Sequence, residues 1–82
     1  MKQHARRYLG CRYSLSGRRA KLYRIITPTT DGRAIHSYQV TLYEGDDLVG
    51  VHDYEYTQHA EAYQSMKDWT SPATRQVFEV VN

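Results

Sequence analysis

Between Ala34 and Tyr43 the chain alternates well: Tyr38, Val40 and Leu42 share one parity, Ser37, Gln39 and Thr41 the other. A period of two belongs to a half-buried strand, whose successive side chains leave opposite faces. The cluster Glu44-Gly45-Asp46-Asp47 then turns the chain, with Gly45 available for positive φ. Leu48–Tyr56 reads as the return strand, with Asp53 and Glu55 on one face and Tyr54 and Tyr56 on the other. Upstream, Ala20–Thr27 is strand-like through Tyr23, Ile25 and Ile26, stops at Pro28, and turns over Thr29-Thr30-Asp31-Gly32. Earlier still, Leu9, Cys11, Tyr13 and Leu15 alternate with Gly10, Arg12 and Ser14. That pattern predicts a first strand from Tyr8 to Leu15, turning at Ser16-Gly17, with residues 1–5 frayed. A helix starting at Ala5 would have to carry Gly10, at a cost of about 1 kcal/mol relative to alanine.

The period changes after Thr57, a plausible N-cap. Gln58–Trp69 is rich in helix formers, and Ala62, Tyr63, Met66 and Trp69 fall on one helical stripe. Ser71-Pro72 ends the helix, and Arg75–Val81 reads as a closing strand. A single amphipathic helix must bury its stripe, and only a sheet face is large enough. The expected architecture is an α+β domain over residues 1–82: an antiparallel sheet of four or five strands, one helix across one face, order ββββαβ.

Length and composition narrow the class. A chain of 82 residues buries about 60–65% of its unfolded surface and has about 5–10 kcal/mol of net stability. With eight Tyr, one Trp and one Phe, much of the core must come from tyrosine rings whose hydroxyls seek partners or water. A lone cysteine, Cys11, makes no intrachain disulfide, which points to a reducing, cytoplasmic setting. No segment has the pattern of a signal peptide or the length of a membrane span.

The net charge of +2 conceals a sharp division. Residues 1–24 carry eight basic side chains and no acid, a +8 segment; residues 25–82 carry all nine acids and three basic side chains, a −6 segment. The basic segment interleaves arginine with tyrosine, so Arg6, Arg7, Tyr8, Arg12, Tyr13, Arg18 and Arg19 form a candidate binding patch. Arginine forks match phosphates and tyrosine rings stack on bases, while the same residue types are enriched where proteins bind proteins. In a regular strand Arg6, Arg12, Ser14 and Arg18 project from one face. A second candidate patch is acidic: Glu44, Asp46, Asp47, Asp53 and Glu55, interleaved with Tyr54 and Tyr56. It could occupy a basic groove that ordinarily holds nucleic acid. The competing interpretations are structural: arginines paired with acids across the sheet, and an ordinary polar hairpin tip.

Catalytic patterns are absent. The five glycines are scattered, with no phosphate-cradling loop before the helix. Ser14 and Ser16 sit in no nucleophile elbow. Cys11 reads as a small core residue, since a nucleophile needs a positioned base. The histidines His4, His36, His52 and His59 lack metal-ligand spacing. No enzyme class, metal or cofactor is expected. RNA-recognition, helix-turn-helix and finger signatures are missing as well.

The meander AKLYRIIT and SYQVTLYEGDDLVGVHDYEY, the helix QHAEAYQSMKDW and the closing strand RQVFEVV together resemble, in size and layout, the small phage and mobile-element inhibitors of the anti-CRISPR type. The resemblance covers most of the chain and carries no motif or functional residue. It implies a non-enzymatic, stoichiometric inhibitor of a large nuclease or ribonucleoprotein. The alternative is a small nucleic-acid-binding protein or regulator using the basic N-terminal segment. Both need a macromolecular partner, and neither sets an oligomeric state.

Overall fold

The computed structural model describes residues 5–71 and 76–80. The elements run β1 (Ala5–Ser14), β2 (Arg18–Pro28), β3 (Ala34–Glu44), β4 (Asp47–Glu55), a 3-10 turn (Tyr56–Gln58), α1 (His59–Thr70) and β5 (Gln76–Val80). The strands form one antiparallel sheet in the order β4-β3-β2-β1-β5. The expected α+β layout of a meander, one helix and a closing strand is therefore present. Pro72, Arg75 and Val81, named in the expected helix stop and final strand, lie outside the described residues.

Helix α1 packs chiefly on β2 and β3. The core is small: Ala20 and Leu42 from the turn end of the sheet, Val40 behind them, and Ala62 and Met66 from the helix, ringed by Leu22, Tyr38, Tyr54 and Trp69. Met66 and Val40 have no exposed surface, and burying a side chain of that kind is worth about 1.5–3 kcal/mol. The buried helix positions are Ala62, Met66 and Thr70, each four apart and thus stacked on one face. Tyr63, expected in that stripe, is exposed. Thr70 enters the core because its hydroxyl donates back to the Met66 carbonyl (3.0 Å).

Local starts and stops differ in detail from the periodicity. Strand β1 begins at Ala5, because β2 is long enough to offer it Ile26 as a partner, so Ala5 is paired rather than frayed. Residues 1–4 lie outside the described residues. Thr57 is inside the 3-10 turn and does not cap α1; instead Glu55 and Gln58 form a capping box at that turn, with the Gln58 side chain accepting from the Glu55 amide (2.9 Å).

Two hairpin turns meet at one end of the sheet. Gly17 adopts φ 98° and Gly45 φ 61°, and the Gly45 amide donates to the Gly17 carbonyl (2.9 Å). No atom would touch a Cβ at Gly17, so the cost of Gly17→Ala is the left-handed backbone alone, about 1–2 kcal/mol. Thermal unfolding followed by circular dichroism should show the midpoint falling by about 4–8 °C per kcal/mol lost. At the opposite end Asp31 is held below the ordinary carboxylate range by the Thr29 hydroxyl and then by the Arg33 amide, which fixes the β2–β3 loop.

Candidate nucleic-acid interface

A bulge divides the basic segment. Register in β1 runs Arg6 opposite Ile25 and Tyr8 opposite Tyr23, then shifts so that Gly10 faces Leu22 and Arg12 faces Ala20. One extra residue reverses the alternation. Arg6 and Tyr8 consequently share the face of Tyr23 and Ile25, whereas Arg12 and Ser14 share the face of Ala20 and Leu22, beneath the helix. The expectation that Arg6, Arg12, Ser14 and Arg18 project together is corrected by this bulge. Arg12 Nε donates to Thr70 Oγ1 (3.3 Å) and its guanidinium lies 6.0 Å from the Tyr63 ring. Arg18 lies 4.5 Å over Trp69. Both arginines fasten α1 to the sheet. Arg7 stands directly opposite Arg24 on that same side.

No element among the described residues covers the other face. There β1 supplies Arg6, Tyr8, Cys11 and Tyr13, β2 supplies Arg19, Lys21, Tyr23 and Ile25, and β3 supplies Gln39, Thr41 and Tyr43, as the register requires. Cys11 and Thr41 are buried at its floor. Tyr8 and Tyr23 meet at 5.5 Å with a 46° tilt, and the Arg6 guanidinium lies over the Tyr23 ring at 4.1 Å. Arg6 Nη1 also donates to Gln39 Oε1 (3.3 Å), whose Nε2 donates to Asp53 Oδ1 (3.2 Å). This relay spans the sheet from β1 to β4. Lys21 lies 5.0 Å over Tyr43.

Two shallow grooves flank Arg19 and Lys21. One, of about 430 Å³, is lined by Tyr8, Cys11, Tyr13, Arg19 and Lys21; the other, of about 160 Å³, by Arg19, Lys21, Tyr43, Gly45 and Asp46. Both therefore pair cations with aromatic rings. Among the described residues one ion pair joins the basic segment to the acids, Arg19 to Asp46 at 3.6 Å, and it is exposed. Exposed pairs contribute about 0–1 kcal/mol, so among the described residues little of the charge of the two halves is neutralised by ion pairing. Arg6, Arg12, Arg18 and Arg24 lie on rings rather than on carboxylates.

Of the basic candidates, Arg6, Tyr8, Tyr13 and Arg19 share the open face, while Arg7, Arg12 and Arg18 take the helix side. Lys21, Tyr23 and Tyr43 complete the open face. The alternation Arg19, Lys21, Tyr23, Ile25 in β2 carried their signal, on the opposite parity from Ala20 and Leu22. The acidic candidates are dispersed. Glu44, Asp46 and Asp47 sit at the β3–β4 turn, with Asp53 about 20 Å further along β4. Asp53 and Glu55 share the open-face parity, opposite Gln39 and Ser37. Tyr54 turns toward the helix, and Tyr56 stacks on Tyr38 at 5.6 Å with a 6° interplanar angle. A unified acidic and tyrosine patch is thus replaced by a tip and a strand margin.

The structural role of Arg12 gives a direct expectation. Arg12→Ala removes a charge-assisted hydrogen bond to Thr70 and should lower stability by about 1.5–3 kcal/mol, read as a shift of the urea midpoint without a change in slope. Among the described residues no group of three or more His, Cys, Asp or Glu side chains could hold a metal ion. No helix among them is long and apolar enough to cross a membrane. No protein-family model, curated protein or solved structure matches the chain.

Proposed function

We propose that this is a non-enzymatic binding protein that holds single-stranded nucleic acid on the open face of its sheet. The observation that carries this reading is the set Tyr8, Tyr13, Tyr23 and Tyr43 interleaved with Arg6, Arg19 and Lys21 on a sheet face that no described element covers. Stacking of a base on an aromatic side chain is worth about 1–3 kcal/mol, and every base has a ring face to offer. The cations follow the phosphates, and the shallow grooves suit splayed bases better than a small molecule needing enclosure. No base-edge code is proposed, so binding is expected to be tolerant of sequence.

Fluorescence anisotropy with labelled oligothymidine, oligouridine and a mixed-sequence duplex, titrated across salt, tests the reading. Single strands should bind more tightly than the duplex. The logarithm of affinity should fall by about 0.7 per phosphate contact for each tenfold rise in salt. Failure to bind either single strand at physiological salt overturns it.

The uncancelled charge division favours a second reading, a stoichiometric inhibitor of anti-CRISPR type that offers its acidic side to a basic nucleic-acid channel. Asp47, Asp53 and Glu55 on β4 are separated from the basic strands by β3, as steering by complementary potential requires, whereas Glu44 and Asp46 at the turn adjoin Arg18 and Arg19. Competition between this protein and a guide or target strand for a nuclease complex, with no affinity for the strand itself, would select this second reading.

A further inference from the structure

The two margins of the sheet are β4 and β5, and β4 carries the features of a docking edge. Edge strands are ordinarily blunted by shortness, proline, charged side chains, bulges or a covering element. Strand β4 is nine residues long and contains neither proline nor lysine; its bulge falls between Leu48 and Gly50, leaving Gly50–Glu55 in regular register, and its charges are all acidic. Leu48, Val49 and Val51 on it are 55%, 51% and 49% exposed. Next to it, between sheet and helix, lies a groove of about 490 Å³ with Leu42, Tyr54 and Trp69 as its apolar part and Glu61, Gln64, Ser65 and Asp68 along α1. Gly50 has no side chain to fill the space beside Leu42, where a Cβ would come within 3.4 Å of Leu42 Cδ1.

We propose that β4 accepts an extended, lysine- or arginine-rich segment of another protein as an added strand. Backbone hydrogen bonds to the free margin would supply affinity and alternate side chains specificity. On the helix side those side chains enter the groove beside Glu61 and Asp68. On the open side they meet Val51, Asp53 and Glu55. Both sets of contacts combine apolar surface with carboxylates, so a strand mixing basic and apolar residues is complementary on each face. A second copy of the chain is less so in the registers that pair most of the strand. Antiparallel pairing about Val51 would set Asp47 opposite Glu55, and pairing about Gly50 would set Asp47 opposite Asp53. Like charges directly opposite are destabilising.

The site is independent of the nucleic-acid reading, since it uses the margin of the sheet farthest from β1. A heptapeptide of order Lys-Lys-Val-Val-Lys-Lys-Val, which as a strand sets both residue types on each face, is the probe, compared with its glutamate counterpart and with a version of equal charge whose central valine is proline. The readout is amide chemical shifts of the isotopically labelled protein. Shifts should cluster in residues 47–55 and 61–69, and the lysine peptide should bind at least tenfold more tightly than either comparator. The double change Glu61→Gln and Asp68→Asn should weaken it several-fold while leaving binding of oligothymidine unchanged. Equal binding of the proline peptide would reduce the effect to unspecific charge attraction and overturn the proposal. So would shifts confined to other elements, no binding of the lysine peptide, or concentration-dependent shifts of residues 47–55 without peptide, which would give the edge to a second copy.

Discussion

Met66→Ala should remove about 2–5 kcal/mol of stability, a large share of the total for a chain of this length. Met66 has no exposed surface and is the largest fully buried side chain among the described residues. It joins Val40, Leu42 and Ala20 on the sheet to Ala62 on the helix. A helix of twelve residues is marginal by itself in water, so its persistence rests on that docking. Truncation leaves a cavity among neighbours that have little freedom to close it: Ala20 and Ala62 are already small, and Val40 is fixed by pairing on both sides. The midpoint of thermal unfolding should fall by about 10 °C or more. Met66→Leu, which nearly conserves volume, should cost less than about 1.5 kcal/mol. Urea titrations followed by Trp69 fluorescence and far-ultraviolet circular dichroism would check both. A loss under about 1 kcal/mol for Met66→Ala would show that the helix is held by Trp69, Arg12 and Arg18 at its rim instead.

The elements were legible because their periods are clean. Tyr38, Val40 and Leu42 show the parity of β3 without ambiguity, and its pairing with Leu22 and Ala20 on one side and His52 and Gly50 on the other follows from short turns. What periodicity does not carry is which face receives the helix. Both parities of β2 are amphipathic: Tyr23 and Ile25 are as apolar as Ala20 and Leu22. The helix selects the face of the smaller residues because Met66 needs depth, and Ala20 provides it. The site was harder to read for a specific reason. A β-bulge leaves no compositional mark beyond one additional residue, here between Tyr8 and Gly10. That residue separates Arg6 from Arg12 and turns one apparent patch into a binding face and a fastening. Cation–π pairing was equally hidden, because it joins residues distant in sequence, Arg18 with Trp69 and Arg24 with Tyr56. The charge division, in contrast, passed from sequence to space almost unaltered, since the meander lays consecutive strands side by side.

Removing the three open-face cations together, Arg6→Ala, Arg19→Ala and Lys21→Ala, should produce the largest change in binding. Each charged hydrogen bond to a phosphate is worth about 1.5 kcal/mol or more, so losing two or three of them lowers affinity for oligothymidine by about 100-fold or more. The salt slope should fall by about 2 if each cation meets one phosphate. Stability should fall modestly, because Arg6 gives up its place over Tyr23 and its hydrogen bond to Gln39, and Lys21 its place over Tyr43, at exposed or half-buried positions. The Arg19–Asp46 pair is exposed and contributes about 0–1 kcal/mol, Lys21 is only half-buried, and Arg6 is exposed. The matched control is Arg12→Ala with Arg18→Ala, equal in kind of residue and lying in the same stretch of sequence. That pair should lower the unfolding midpoint and leave affinity and slope unchanged once the protein is folded, because both guanidiniums are engaged with α1. Anisotropy titrations at four salt concentrations, run beside thermal melts, separate the two outcomes. If both sets weakened binding alike, the chain would be using its basic segment as an undivided polyelectrolyte, and the bulge would have no functional consequence.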